Sequence, residues 1–225
     1  MITSTAKRRA CEAHELTFDP ALHAYKLDGA SVPAVTTVTH VLDKPGLDDW
    51  RARVGYHEAE RIAKQAAHFG TALHAAAAIW VRGHKLMPLD LGDRWQPTLD
   101  LLRVWLDRNL VEVLHVEETM ASPSMKVAGK PDLVCRLRGH KLPTIVDYKT
   151  GKGVYEGDRL QQAAYRAIVR EWVGLTCDRL ILHMPAPEYG QAPTLHPIPL
   201  RAHSTDELAF RACLSLWHWS QGVKI

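Results

Sequence analysis

Two carboxylates in apolar strands constrain this chain more than any other feature. The stretch GKPDLVCRLRGHKLPTIVDYKTGK, Gly129 to Lys152, reads as two strands joined by a turn, and each strand carries one aspartate, Asp132 and Asp147. A buried sheet favours apolar side chains at such positions, so the pair needs a reason. A two-residue turn at Gly139-His140, with glycine first as a type II′ hairpin requires, opposes Asp132 to Asp147 and Val134 to Ile145. Like charges facing each other at roughly 5 Å destabilise a sheet. A divalent cation bound between them removes that cost, since clustered carboxylates are hard oxygen ligands.

Lys149 follows Asp147 by two residues, so strand alternation sets both on one face, with Tyr148 on the other and its carbonyl free to act as a ligand. An ammonium there can meet a phosphate or charge developing during attack. The outline is a metal-dependent phosphodiester site. The plain alternative makes the aspartates strand-end caps and Lys149 a solvated edge residue, and the longer loop RGHKLPT leaves the register open.

The rest of the chain excludes several classes. Of its 225 residues 46% are hydrophobic and 24% charged, which suits one globular domain with a sizeable core. No apolar run approaches the ~20 residues that span a bilayer, and MITSTAKRRACEAHE has no apolar signal core, so an intracellular protein is expected. Cys11, Cys135, Cys177 and Cys213 are too scattered for a metal cage or redox pair and read as free thiols. The 13 histidines include no HExxH, and the net charge of +3 permits a polyanionic partner without requiring one. The basic Lys7–Arg9 run is explained equally well as a solvated tail.

Along the chain, LTFDPALHAYKLDGASVPAV alternates around Asp28-Gly29 as a hairpin. The segment from Thr36 to Gly83 is helical in character, with breaks expected at Pro45-Gly46 and near Gly70. A helix over Asp93–Asn109 follows. Then the period changes, and VEVLHVEETMA, PDLVCRL and PTIVDYK read as strands. GDRLQQAAYRAIVREWVG is a helix ending at Gly174. RLILHM and TLHPIPL are strands, and a last helix opens on a capping box, Ser204-Thr205-Asp206-Glu207. This order predicts an α/β fold, a mixed sheet covered by helices on both faces.

A set of motifs in fixed order adds to that reading. GTALH (Gly70 to His74), the glutamate of HVEETM, GKPD (Gly129 to Asp132), DYK (Asp147 to Lys149) and QQAAY (Gln161 to Tyr165) resemble the PD-(D/E)XK nuclease superfamily, in its RecB-like exonuclease branch. Val32 to Trp50, VPAVTTVTHVLDKPGLDDW, is similar to the segment that precedes the active-site histidine in phage nucleases and the mitochondrial genome maintenance exonuclease. The resemblance implies a restriction-endonuclease-like fold, a central mixed sheet flanked by helices. Residues 1–68 would form an N-terminal hairpin and helical cap, and residues 69–225 the catalytic core of a single nuclease domain.

It further implies His74, Asp132, Asp147 and the Tyr148 carbonyl as ligands of Mg2+ or Mn2+, with Lys149 as the group that positions the attacking water. Glu117 stands at the family's usual separation upstream of Asp132, with Glu118 as its rival. Gln161 and Tyr165, one turn apart, would orient the lysine or touch the DNA backbone. Gly70 allows the close backbone approach that seats His74 against the sheet.

The expected activity is DNA exonuclease action on single-stranded ends, in the cytoplasm of a bacterial or phage-infected cell. A recombination or replication protein is the expected second partner. Arg51, Arg53, Arg61 and Lys64 are candidate phosphate contacts, with Trp50 or Phe69 as stacking surfaces; a solvated helix face with a core tryptophan explains them equally well. The cysteines do not reproduce the iron–sulfur spacing of several relatives, and no Walker A loop is present. The rival readings are a double-strand endonuclease and a catalytically silent DNA-binding module on the same fold.

Overall fold

Alternation at the N-terminus builds a small meander. β1 (Leu16–Asp19), β2 (Ala24–Leu27) and β3 (Ala30–Val32) pair antiparallel, one strand more than the expected hairpin. Asp28 and Gly29, with φ of 51° and 79°, form the two-residue turn between β2 and β3. That is the positive-φ pair for which Asp-Gly is suited. The computed structural model describes residues 10–42, 46–83 and 92–222. The Lys7–Arg9 run and the Pro45 break lie outside them.

Three helices follow, α1 (Val35–Thr39), α2 (Leu47–Val54) and α3 (Tyr56–Val81), and then α4 (Gln96–Asn109). The interruption between α2 and α3 falls at Gly55, with φ of 84°. α3 runs through Gly70 without a break, against expectation, because Phe69, Leu73, Ala76 and Ala77 hold that half of the helix in one apolar stripe. Pro97 sits in the first turn of α4, where its missing N–H has no helical partner to lose.

The central sheet has the order β10-β9-β8-β7-β4. Its strands are β4 (Leu110–Val116), β7 (Leu133–Leu137), β8 (Thr144–Lys149), β9 (Asp178–His183) and β10 (Thr194–Ile198). β8 and β9 are parallel and every other pair is antiparallel, so the sheet is mixed as expected. The expected long strand VEVLHVEETMA breaks at Glu117, whose φ is 47°. The chain after it forms a separate pair, β5 (Met120–Ser122) with β6 (Val127–Gly129).

The hairpin register matches expectation, with Leu133 opposite Val146, Val134 opposite Ile145 and Cys135 opposite Thr144. The turn does not. The strands end at Leu137 and restart at Thr144, and Gly139 takes the third place of a turn closed by the His140 amide donating to the Leu137 carbonyl. Its φ of 81° suits a type II turn. The longer loop keeps the pairing because it adds residues evenly to both strands.

Each sheet face is covered. α3 and α4 cover one, through Phe69, Leu73, Leu99, Leu102 and Leu106 against Leu133, Val146 and Tyr148. On the other face α5 (Glu156–Trp172) and α6 (His203–Ser220) enclose a core with the N-terminal meander and α1. The expected N-terminal cap is thus divided. The meander and α1 belong to this core, whereas α2 has no buried residue.

The expected capping box of α6 is absent. The helix begins at His203, and no side chain caps it. Asp206 is buried instead and pairs with Arg159 at 2.7 Å and with the fully buried Arg179 at 2.8 Å. A buried guanidinium requires a counter-charge, and that demand outweighs a local cap. Among the described residues no helix is long and apolar enough to cross a membrane.

Candidate active site

β8 delivers three consecutive groups to the end of the sheet. Asp147 and Lys149 point to the α5 face, and Tyr148 points to the opposite core, as alternation requires. Lys149 Nζ lies 2.8 Å from Asp147 Oδ2 and donates to Gln161 Oε1 at 2.8 Å. Gln161 Nε2 donates to Asp147 Oδ1 at 3.1 Å and to the Tyr165 hydroxyl at 3.3 Å. Charge dictates this amide orientation, with oxygen toward the ammonium and nitrogen toward the carboxylate.

Asp132 stands just before β7, beside the end of the ladder. Its Oδ2 accepts the Tyr148 amide at 2.8 Å, and Oδ1 faces His74 Nδ1 at 3.2 Å. His74 Nε2 meets the Tyr148 carbonyl at 3.0 Å. Both ring nitrogens thus face acceptors, which suits an imidazolium. Burial opposes that charge, but Asp132 and then Asp147 outweigh it and lift the His74 pKa to about 9.

Electrostatics separates the two carboxyls. Burial, reinforced by the charge of Asp132, pushes Asp147 up to about 6 even though Lys149 pulls it down. Asp132 moves the other way, below the usual carboxylate range: burial is opposed by His74 and by the Tyr148 amide. Lys149 is held above its ordinary value, because Asp147 and Asp158 outweigh its burial.

Two glycines permit this convergence. A Cβ on Gly70 would come within 2.9 Å of Thr150 Oγ1, so the bare backbone lets α3 approach the end of β8 one turn before His74. A Cβ on Gly129 would lie 2.7 Å from Tyr165 Cε1 and 3.2 Å from Val35 Cγ2. Gly129→Ala is therefore expected to destabilise the fold by about 1–3 kcal/mol, as overpacking does, and to displace Tyr165 from Gln161. Denaturant midpoints of the two proteins measure the first effect.

The remaining candidates lie elsewhere. Glu117 pairs with Lys130 at 3.5 Å, at the edge of the network, and Glu118 hydrogen-bonds His115 at 2.6 Å on an exposed surface. Arg51, Arg61 and Lys64 pair with Asp48, Glu58 and Glu60 within their own helices, and Arg53 is exposed on α2. Arg61 and Lys64 precede His74 by about 15–20 Å of helix at 1.5 Å per residue. Trp50 is half-buried. Phe69 is fully buried between α3 and the sheet, so the expected stacking surface is a core residue.

Sequence reasoning passed over Asp158, whose Oδ1 lies 3.5 Å from Lys149 Nζ. Its signal was present, an acid three residues before Gln161 and so on the same helix face.

Among the described residues no three His, Cys, Asp or Glu side chains are grouped to hold a metal ion as they stand. Lys149 and His74 already engage the two carboxylates. The donor types nevertheless suit a hard cation: two carboxylates, an imidazole and a carbonyl stand at the same end of the sheet. Asp147 Oδ2 is buried without an aligned hydrogen bond, its contact with Lys149 being an ion pair.

No family model and no curated protein matches this chain. A solved structure described as the crystal structure of SSO0001 is similar at 12% identity and a TM-score of 0.38, over 81% of this chain and 75% of that one. A likeness of that depth carries no argument about family or activity.

Proposed function

We propose that this chain is a divalent-metal-dependent deoxyribonuclease of the PD-(D/E)XK type, close to the RecB-like exonucleases, acting in the cytoplasm on single-stranded DNA ends. The observation that carries this reading is a pair of clusters side by side at one end of the sheet: His74 and Asp132 on the backbone of Tyr148, and Asp147 with Lys149 and Gln161, the two joined through β8. A purely structural ion pair needs neither the histidine nor the second carboxylate.

In this reading Asp132, Asp147, His74 and the Tyr148 carbonyl hold Mg2+ or Mn2+. When bound, the cation would polarise the scissile phosphate and lower the pKa of its bound water toward neutrality. Lys149 Nζ donates to the attacking water or to a phosphate oxygen. Gln161 fixes that ammonium, and Tyr165 fixes Gln161. Because His74 is doubly hydrogen-bonded, it sheds a proton before it can act as a ligand.

Purified protein should degrade end-labelled linear DNA with magnesium or manganese, and a chelator should stop it. The cation should also raise the thermal midpoint, since a ligand that binds only the native state adds ~2.7 kcal/mol at a hundredfold excess over Kd. Asp147→Asn should gain much less. A variant stabilised as strongly as wild type would remove Asp147 from the ligand set.

A further inference from the structure

Lys149 has one acidic neighbour more than this reading uses. Asp158 stands in the first turn of α5 and offers its two oxygens to different partners. Oδ2 accepts the Tyr155 amide at 2.8 Å, and Oδ1 faces Lys149 Nζ at 3.5 Å. The first bond ties the carboxylate to its own helix start, where the backbone dipole favours a negative charge. The carboxylate is therefore held in place whether or not the lysine is near it. Gln161, three residues on, meets the same ammonium at 2.8 Å.

We infer that Asp158 is a positioning residue, the counter-ion that keeps the Lys149 ammonium in place when Asp147 turns its oxygens to a cation. The inference rests on the proposed reading for that one event; the contact itself does not. An ammonium has three protons to place, and this side chain is only 19% exposed. With Asp147 withdrawn and Asp158 absent, a neutral amide alone would face a largely buried charge, which is unfavourable. The flexible four-carbon stem offers an escape by swinging toward water. Asp158 closes that escape. Asp147 thus serves the cation and Asp158 the lysine, and the two tasks need not compete for one carboxylate.

The test separates charge from fold. Asn at position 158 keeps an oxygen for the Tyr155 amide and gives up only the first-turn charge that the helix dipole favours, so Asp158→Asn should melt only slightly below wild type. The Lys149 ammonium can be followed by proton–nitrogen NMR, its signal assigned by its loss in Lys149→Arg. The signal should persist in Asp147→Asn and disappear in the Asp147→Asn, Asp158→Asn double variant, while the backbone amide spectrum stays folded.

On DNA with magnesium, Asp158→Asn should lower kcat on the order of tenfold to a hundredfold, the effect of a misplaced reacting group. KM should not change, and Asp158→Glu should recover most of the loss. An ammonium signal that persists in the double variant overturns the inference, as does wild-type kcat in Asp158→Asn. A wild-type protein that hydrolyses no DNA removes the nuclease reading instead, and the NMR comparison still decides the role of Asp158.

Discussion

Replacing Lys149 with alanine should lower DNA hydrolysis by roughly 10²–10³-fold or more, the loss seen when one preorganised donor to developing charge is removed. The fold should survive. Lys149 lies at the end of β8 with its ammonium in contact with Asp147, Gln161 and Asp158, and no apolar packing depends on it. Its removal takes away the group that pulls the Asp147 pKa down, so burial drives that carboxyl further toward its neutral form. A protonated acid can remain buried where an unpaired carboxylate could not. Metal affinity should change little, because loss of the neighbouring ammonium charge favours a cation while the added proton on Asp147 competes with it. Lys149→Arg is the informative companion: it keeps the charge but replaces a compact ammonium with a planar fork, and partial activity there would assign the loss to position. Single-turnover rates measure both variants, with circular dichroism to check the fold. Normal turnover by well-folded Lys149→Ala would sink the nuclease assignment.

Much of this site was legible because strand alternation is a local rule. Asp147 and Lys149 share a face for the same reason that Ile145 does, and the DYK spacing alone shows it. The register of the two strands was also legible, although through a wrong turn, because the loop added residues evenly to both strands; the ladder ends at Leu133 and Val146, and Asp132 beyond it accepts the Tyr148 amide. Tertiary demands hid the rest. Asp206 reads as a cap, but it serves Arg179 across the molecule. Phe69 reads as a surface aromatic until the phase of α3 is fixed by the sheet beneath it. Glu117 sits where a strand was expected because the chain turns there into a separate pair. Asp158 was within reach of the i, i+3 rule, yet its lysine partner lies on another element and only the fold brings them together.

A linear single-stranded oligonucleotide should be consumed while the same sequence closed into a circle survives. The reacting groups are recessed: the Asp147 side chain is 1% exposed, Asp132 14% and Lys149 19%. They lie at the end of the sheet between α3 on one face and α5 on the other. A recessed site favours a flexible single strand, whose backbone can track a narrow groove, over the wider and stiffer duplex. A free end lets that strand enter without bending back on itself. Binding should combine phosphate neutralisation with base stacking, worth ~1–3 kcal/mol per base. It should therefore tolerate any sequence and weaken with salt, with a slope of roughly −0.7 per phosphate contacted. Arg61 and Lys64 are already paired with Glu58 and Glu60, so Arg61→Ala and Lys64→Ala should each reduce that slope by less than one phosphate contact. The comparison needs equal amounts of linear and circular DNA, the same metal and labels within the chain, so that internal cuts are seen. If the circle disappears as fast as the linear strand, entry from an end is wrong, and internal cleavage by an endonuclease takes its place.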